Sequence, residues 1–422
     1  MQNSASFKSA RSPKVMPMEI ANTAALDSRS SANGTRLDHL IARARQLSPI
    51  LRERAAAAEA LRRLPEESAR EFCEAGFFKI FQPARYGGYE LDYGPTQLAL
   101  GDELGRGCGS SAWVFSVVAC HAWILGMLSP EVQDEVWGAS PEALLGSAFA
   151  PEQSTLSAVA GGYRLSGRWR FSSGIDLAQW VILGAPMAHG AAASPDALWC
   201  VLPRTDYRII DTWHASGLRA TGSNDVIVDD AFIPVHRTAA LGVLAAGRGP
   251  GTAANDCHIY RLPLWNVFSY NLIAPAFGIV RGALEDLTAR ARRQPPSPLG
   301  RGRLAESEGV QLQIAEAAAL TDSAEALVTS NAHEFNDLAR RGGAIEPEMS
   351  SRIRRDVAFA GLACMRAVDL LNYLNGAHGL TDTNVVQRAF RDIHAINAHF
   401  GMQWRTGALE FGRRALGATP AS

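Results

Sequence analysis

The chain changes hydrophobic period twice along its length, and this limits its possible folds more than any other feature. From about Leu37 to Val136, apolar residues return every three or four positions, as at Leu37, Leu40, Ile41 and Ala44, at Leu100 and Leu104, and at Val114, Val117 and Val118. That spacing predicts helices with one buried face. From about Ala143 to Arg237 the apolar runs shorten. Ser157 to Ala160, Gly161-Gly162 and Tyr163 to Leu165 read as a hairpin with its turn at the glycines. Trp180 to Leu183, Leu198 to Leu202, Val226 to Val228 and Ala231 to Ile233 read as further strands. From about Leu264 to Leu416 the helical period returns, in segments near 271–293, 308–340, 347–376 and 385–415. Three prolines within Gln294 to Gly302 mark a connection. The prediction is an α+β chain with a helical domain over 36–142, a central β-barrel or sandwich over 143–240, and a C-terminal four-helix bundle over 241–422. Residues 1–35, rich in Ser and Ala with Lys8, Arg11 and Lys14, predict a disordered tail.

At 422 residues the chain is long enough for two or three packed regions. Its formal net charge of -1 gives no electrostatic reason to bind nucleic acid or an anionic membrane. Six cysteines, at 73, 108, 120, 200, 257 and 364, form no CxxC pair or Cys/His cluster. They predict reduced, buried thiols, no metal site and a cytoplasmic location. The longest apolar run, Trp113 to Leu128, is shorter than a bilayer needs and contains His121, so it predicts a buried helix.

Gly105-Arg106-Gly107-Cys108-Gly109 comes nearest to a dinucleotide-binding glycine pattern. It follows a helical pattern rather than a strand, so it predicts a helix-to-helix turn and no NAD(P)H site. His121, inside Val117 to Trp123, places a polar ring in an apolar stretch where it needs a partner. Its simplest reading is a satisfied core histidine. Ser172 and Ser173 follow Trp169-Arg170-Phe171 at a strand end, where serines commonly cap a turn.

Six stretches carry a resemblance. They are Gln82 to Gly88 (QPARYGG), Gly107 to Trp113 (GCGSSAW), Gly167 to Gly174 (GRWRFSSG), Gly217 to Asp225 (GLRATGSND), Arg388 to Asp392, and Gly412 to Gly417 (GRRALG). In this order, from about residue 37 to the end, the chain resembles the acyl-CoA dehydrogenase superfamily. It is most similar to the flavin monooxygenase branch that contains the oxygenase component of p-hydroxyphenylacetate 3-hydroxylase. A dehydrogenase of that superfamily needs a carboxylate base. The two stretches where the resemblance would place one hold Ala398-His399-Phe400 and Ser269-Tyr270.

The resemblance therefore implies an oxygenase component. It would take reduced FMN or FAD (FMNH2 or FADH2) from a separate NAD(P)H:flavin reductase. With O2, through a C4a-hydroperoxyflavin, it would hydroxylate a small aromatic substrate such as a phenol, naphthol or indole. N- or S-oxygenation and acyl-CoA dehydrogenation stand as alternatives. The resemblance also implies roles. A hydroxyl of Ser172 or Ser173 lies near flavin N5, with Ser172 preferred. Trp113, Trp169 and Phe171 border the flavin, and His121 with Ser147 holds the substrate hydroxyl. One of His394 and His399 lies by the reacting oxygen; on one continuous helix these two point about 140° apart, and His399 shares a face with Asp392. Arg261 approaches the flavin ring. Gly376, His378 and Gly379 meet the flavin tail from a neighbouring subunit of a homotetramer.

Overall fold

The computed structural model describes residues 19–186, 196–293 and 303–418, with side chains from residue 33 onward. Its first helix, α1, spans Glu19–Leu61 and so begins well before the boundary expected at residue 36. Ala21, Ala24, Ala25 and Leu26 favour helix, which outweighs the polar composition that suggested a tail there. Residues 1–18 and the proline-rich connection at 294–302 lie outside the described residues.

Helices α2 (Glu66–Glu74), α3 (Pro95–Gly107) and α4 (Gly109–Met127) complete the N-terminal region. Only Cys108, in extended conformation, separates α3 from α4. The glycines here serve packing: a Cβ on Gly107 would sit 2.2 Å from the Ser48 carbonyl oxygen, and one on Gly109 would sit 2.7 Å from the Asp392 carboxylate. Every residue of α4 is buried, so it is a core helix although it is long and apolar enough to cross a membrane. Two other stretches meet that criterion, Leu264–Arg293 and Pro347–Leu380, and 83% and 56% of their apolar windows are buried inside the protein.

Among the described residues eight strands follow: β1 (Leu145–Ala148), β2 (Pro151–Val159), β3 (Gly162–Ser172), β4 (Trp180–Ala185), β5 (Leu198–Pro203), β6 (Arg208–Ile210), β7 (Asn224–Pro234) and β8 (Thr238–Ala240). They form two four-stranded sheets, ordered β1-β4-β5-β8 and β2-β3-β7-β6. The arrangement is a sandwich rather than a barrel. Alternation along each strand divides its residues between two cores. Ala148, Val181, Leu183, Cys200 and Leu202 of the first sheet meet Leu165, Trp169, Val226 and Val228 of the second. Leu145, Ile182, Trp199, Val201 and Ala239 face the opposite way and join the helical core. The β2–β3 turn falls one residue earlier than expected, on Ala160-Gly161, because Val159 pairs with Gly162. Gly161, at φ +79°, takes the left-handed position the turn requires.

The C-terminal region comprises α5 (Tyr270–Arg293), α6 (Glu308–Arg340), α7 (Pro347–Asn375), α8 (Val385–Ala398) and α9 (Trp404–Ala415). The segment expected as one helix over 385–415 is thus two. At His399 the backbone turns extended (ψ 137°), and Phe400–Met402 form a single 3-10 turn. Helices α3 and α5 cross along a glycine seam. Gly101, Gly105, Gly278 and Gly282 each lie where a Cβ would come within 2.0–2.7 Å of the opposing backbone.

Candidate active site

The first sheet turns one face toward α4, and there it carries Ser147. The Ser147 hydroxyl lies 2.6 Å from His121 Nε2, and His121 Nδ1 lies 2.7 Å from the Leu145 carbonyl oxygen. A carbonyl only accepts, so Nδ1 carries the proton and donates. Burial holds the ring neutral, pushing its pKa down to about 4 against the opposing pull of the Leu145 bond. Nε2 then accepts, and the Ser147 hydroxyl donates to it. Ser147 Oγ keeps lone pairs for a group arriving from the other side. The expected pair is formed, with its tautomer fixed by the strand.

A second polar group lies at the end of β3. Here the register against β7 shifts between Trp169 and Ser172, and Phe171 takes φ +68°. This bulge re-aims the chain. Phe171 is turned outward, 63% exposed, against Trp213. Trp169 stays in the inter-sheet core with its indole N–H donating to the Gly184 carbonyl at 2.7 Å, so the structure does not place it at a flavin. The two serines also separate. Ser172 Oγ is enclosed without a hydrogen-bond partner, close to Gly146, and offers no surface to a ligand. Ser173 is half-buried and accepts from the Trp113 indole N–H at 3.0 Å. The preference for Ser172 is therefore corrected to Ser173. Its hydroxyl continues to Ser223 at 2.7 Å, Ser223 to Thr221 at 2.6 Å, and Thr221 to the Leu218 carbonyl at 2.9 Å.

Trp113 joins this hydroxyl chain to His399, whose ring centroid lies 5.9 Å away. His399 is not on α8. It begins the 3-10 turn, and its Nδ1 accepts the Gly401 N–H at 3.2 Å. Burial depresses its pKa to about 4, so the neutral ring keeps Nε2–H as a donor. Because the helix has ended, the expected shared face with Asp392 is not formed; Asp392 accepts the Leu218 N–H instead. His394 turns away. Its Nδ1 bonds the Phe390 carbonyl of its own helix, and its Nε2 lies 3.5 Å from Asp369. Of the two candidates, only His399 joins the cluster.

From His399 a continuous series of ring contacts runs along the helix-facing side of the first sheet. It passes through Phe400, Trp265, Phe268 and Phe149 to Trp199, and the last two rings stack at 4.1 Å. Ser147 pairs across β4 to Val201 and so shares the helix-facing side of the first sheet with Trp199, which puts the Ser147–His121 pair on the same face as this aromatic wall. Arg261 is elsewhere, exposed on a 3-10 turn and 3.6 Å from Asp256. Gly376, His378 and Gly379 lie on an outer turn, 376–380, at the end of α7. Neither group meets the cluster within this chain. Sequence reading did not single out Thr221, Ser223 or the aromatic wall. The two hydroxyls lie inside the quoted Gly217 to Asp225 stretch, and only the chain that runs from Thr221 through Ser223 to Ser173 distinguishes them.

The two places where a dehydrogenase would carry its base hold no carboxylate. Ser269 Oγ donates to the Gly401 carbonyl, and the Tyr270 hydroxyl donates to the Val328 carbonyl. Among the described residues no group of three His, Cys, Asp or Glu side chains could hold a metal ion.

Residues 44–138 match the acyl-CoA dehydrogenase N-terminal domain, and residues 270–404 match the acyl-CoA dehydrogenase C-terminal domain. The oxygenase subunit HsaA of a flavin-dependent monooxygenase from Rhodococcus jostii (strain RHA1) is 33% identical over 353 residues, 84% of this chain and 92% of that protein. The chain belongs to the flavin-dependent monooxygenases of the acyl-CoA dehydrogenase family. Another family member, the oxygenase component of the FADH(2)-dependent resorcinol hydroxylase of Rhizobium sp. (strain MTP-10005), is 33% identical across 90% of this chain and 95% of its own. Among solved structures of the family, the HsaA monooxygenase from M. tuberculosis superposes with a TM-score of 0.85 at 32% identity, covering 92% of this chain and 99% of that one.

Proposed function

We propose that this protein is the oxygenase component of a two-component system that hydroxylates an apolar aromatic substrate bearing a phenol-type hydroxyl or an indole N–H. The observation that carries this reading is the Ser147–His121 pair on the same sheet face as the aromatic wall. The wall suits flat rings by stacking and edge contacts. The substrate hydroxyl donates to Ser147 Oγ, and as it gives up its proton Ser147 passes its own to His121 Nε2. The ring that results is richer in electrons and attacks an electrophilic oxygen more readily. Low pKa keeps His121 neutral and available as an acceptor before substrate arrives.

The residues at the end of β3 fit a flavin ring: Phe171 offers an exposed aromatic face beside the half-buried Ser173 hydroxyl. Reduced FMN or FAD, supplied by a separate NAD(P)H:flavin reductase, provides the electrons that activate O2. Ser173 would meet its N5 edge, and His399 Nε2–H would serve as a donor toward developing negative charge on oxygen.

The protein assembles as a homotetramer. Tyr373 and Leu380, 79% and 82% exposed, flank the outer turn at the end of α7, where they suit burial by a neighbour. Gly376, His378 and Gly379 would meet the neighbour's flavin from that turn.

The test supplies chemically reduced FMN or FAD to the purified protein under anaerobic conditions, then labelled O2 and a panel of phenols and indoles. Expected is a hydroxylated product carrying one labelled oxygen, with no turnover of the O-methylated phenols. Oxidation of acyl-CoA with an artificial electron acceptor, and no aromatic product, would overturn the reading.

A further inference from the structure

We infer that Thr221 and Ser223 are positioning residues that make Ser173 an obligate acceptor, so that the site discriminates reduced from oxidised flavin. This rests on the flavin reading above.

The chain of hydroxyls has two ends that can each play only one part. At one end the Leu218 carbonyl can only accept, and Thr221 Oγ1 reaches it at 2.9 Å. At the other the Trp113 indole N–H can only donate, and it reaches Ser173 Oγ at 3.0 Å. Each hydroxyl owns one hydrogen. Thr221 gives its hydrogen to Leu218. The 2.6 Å bond between Thr221 and Ser223 therefore uses the hydrogen of Ser223. The 2.7 Å bond between Ser223 and Ser173 then uses the hydrogen of Ser173. No alternative direction satisfies all four contacts. Ser173 accepts once, from Trp113, and is left with one lone pair and no hydrogen.

Thr221 and Ser223 are buried, and Ser173 is the member of the chain that a ligand can reach. Leu218, which ends the chain, is itself held. Its N–H donates to the buried Asp392 carboxylate at 2.6 Å, its φ is +50°, and the Ala220 N–H next in the loop donates to Ser110. A loop pinned at both ends cannot easily reverse the chain.

Reduced flavin carries a hydrogen on N5, and oxidised flavin carries a bare lone pair there. A hydroxyl fixed as acceptor receives the N5–H of the reduced ring and opposes the lone pair of the oxidised one. A free serine hydroxyl would rotate and serve both. The device favours the reduced cofactor when it arrives and disfavours the oxidised cofactor when the cycle ends.

The test measures dissociation constants for oxidised and for anaerobically reduced flavin, without substrate or turnover, in wild type, Ser223→Ala, Thr221→Val and the hydroxyl-retaining Thr221→Ser. Breaking the chain frees the Ser173 hydrogen. Both Ser223→Ala and Thr221→Val should narrow the preference for reduced flavin by roughly fivefold, about one hydrogen bond. Thr221→Ser should keep the wild-type ratio. A merely structural role would weaken both forms together and leave the ratio unchanged, and that result overturns the inference. A wild type that binds neither form overturns the flavin reading and this inference with it. A wild type that prefers reduced flavin, with an unchanged ratio in both variants, overturns the inference alone.

Discussion

At the residue scale, the site separates groups that act on substrate from groups that serve only the fold. His121→Ala should leave flavin binding within about twofold of wild type. Product formation should fall by about 10²- to 10⁴-fold, the usual worth of a positioned base, while oxygen consumption continues as hydrogen peroxide release. If oxygen consumption collapses in step with product, His121 acts on something other than the substrate. Ser172→Ala tests the corrected assignment. Its hydroxyl is enclosed and unpartnered, so removing it should raise stability by about 1 kcal/mol in urea melts and leave the product-to-peroxide ratio alone. A loss of coupling in that variant would return Ser172 to the site. His121 also has a pH signature. Its folded pKa of about 4 lies below the ordinary 6.5, so the folded state binds fewer protons between those values. The stability it contributes is present above pH 6.5 and is lost as pH falls through 4, about 3 kcal/mol in all. Urea midpoints at pH 7, 5.5 and 4 should therefore fall more steeply in wild type than in His121→Gln. Parallel curves would show that the ring is not neutral and buried in solution.

At the element scale, helices α3 and α5 illustrate what periodicity can and cannot predict. Apolar spacing announced both helices, but not that they would meet backbone to backbone at Gly101, Gly105, Gly278 and Gly282. Gly278 lies where a Cβ would come 2.0 Å from the Asp102 carbonyl oxygen. Gly278→Ala should thus cost at least about 2 kcal/mol by forcing the helices apart, whereas alanine in place of a free helical glycine stabilises. A thermal midpoint equal to wild type would contradict the seam. The same limit explains where sequence reading of the site failed. The helix, strand, helix order is legible because burial imposes a period on each element. His121 was legible because a polar ring in an apolar helix needs a partner, whereas Ser147 as that partner came only from the family resemblance. Trp169 was misplaced because strand alternation puts it and Phe171 on one face until the bulge separates them. His394 and His399 were weighed as neighbours on one helix, but the helix stops at Ala398, where no proline or glycine announces its end. The Thr221–Ser223–Ser173 chain joins residues some fifty positions apart through contacts that no local pattern encodes.

At the scale of the whole molecule, the first sheet has two faces with different duties. One packs on the second sheet and needs nothing else; the other must be covered by helices, and the polar and aromatic side chains line that junction. One chain supplies His121, Ser147, Ser173 and His399 to it but leaves the turn at 376–380 pointing outward, between two large apolar side chains. An isolated exposed Leu or Tyr is ordinary on a soluble protein; Tyr373 and Leu380 at about 80% exposure, seven residues apart on one bundle end, form a surface that a partner copy would cover. Closed symmetric assemblies bury such a surface by repeating it. Sedimentation velocity should accordingly give one species near four times the 45.3 kDa chain mass at micromolar concentration. Leu380→Asp, which puts a charge into that surface, should shift the distribution toward smaller species. On the proposal that the partner's turn completes the site, it should also weaken reduced-flavin binding. Wild type that sediments as a monomer and still turns over at full rate, from nanomolar to tens of micromolar, would show that each chain holds its flavin alone. Leu380→Asp that dissociates the assembly without changing flavin affinity would keep the tetramer and remove the shared site.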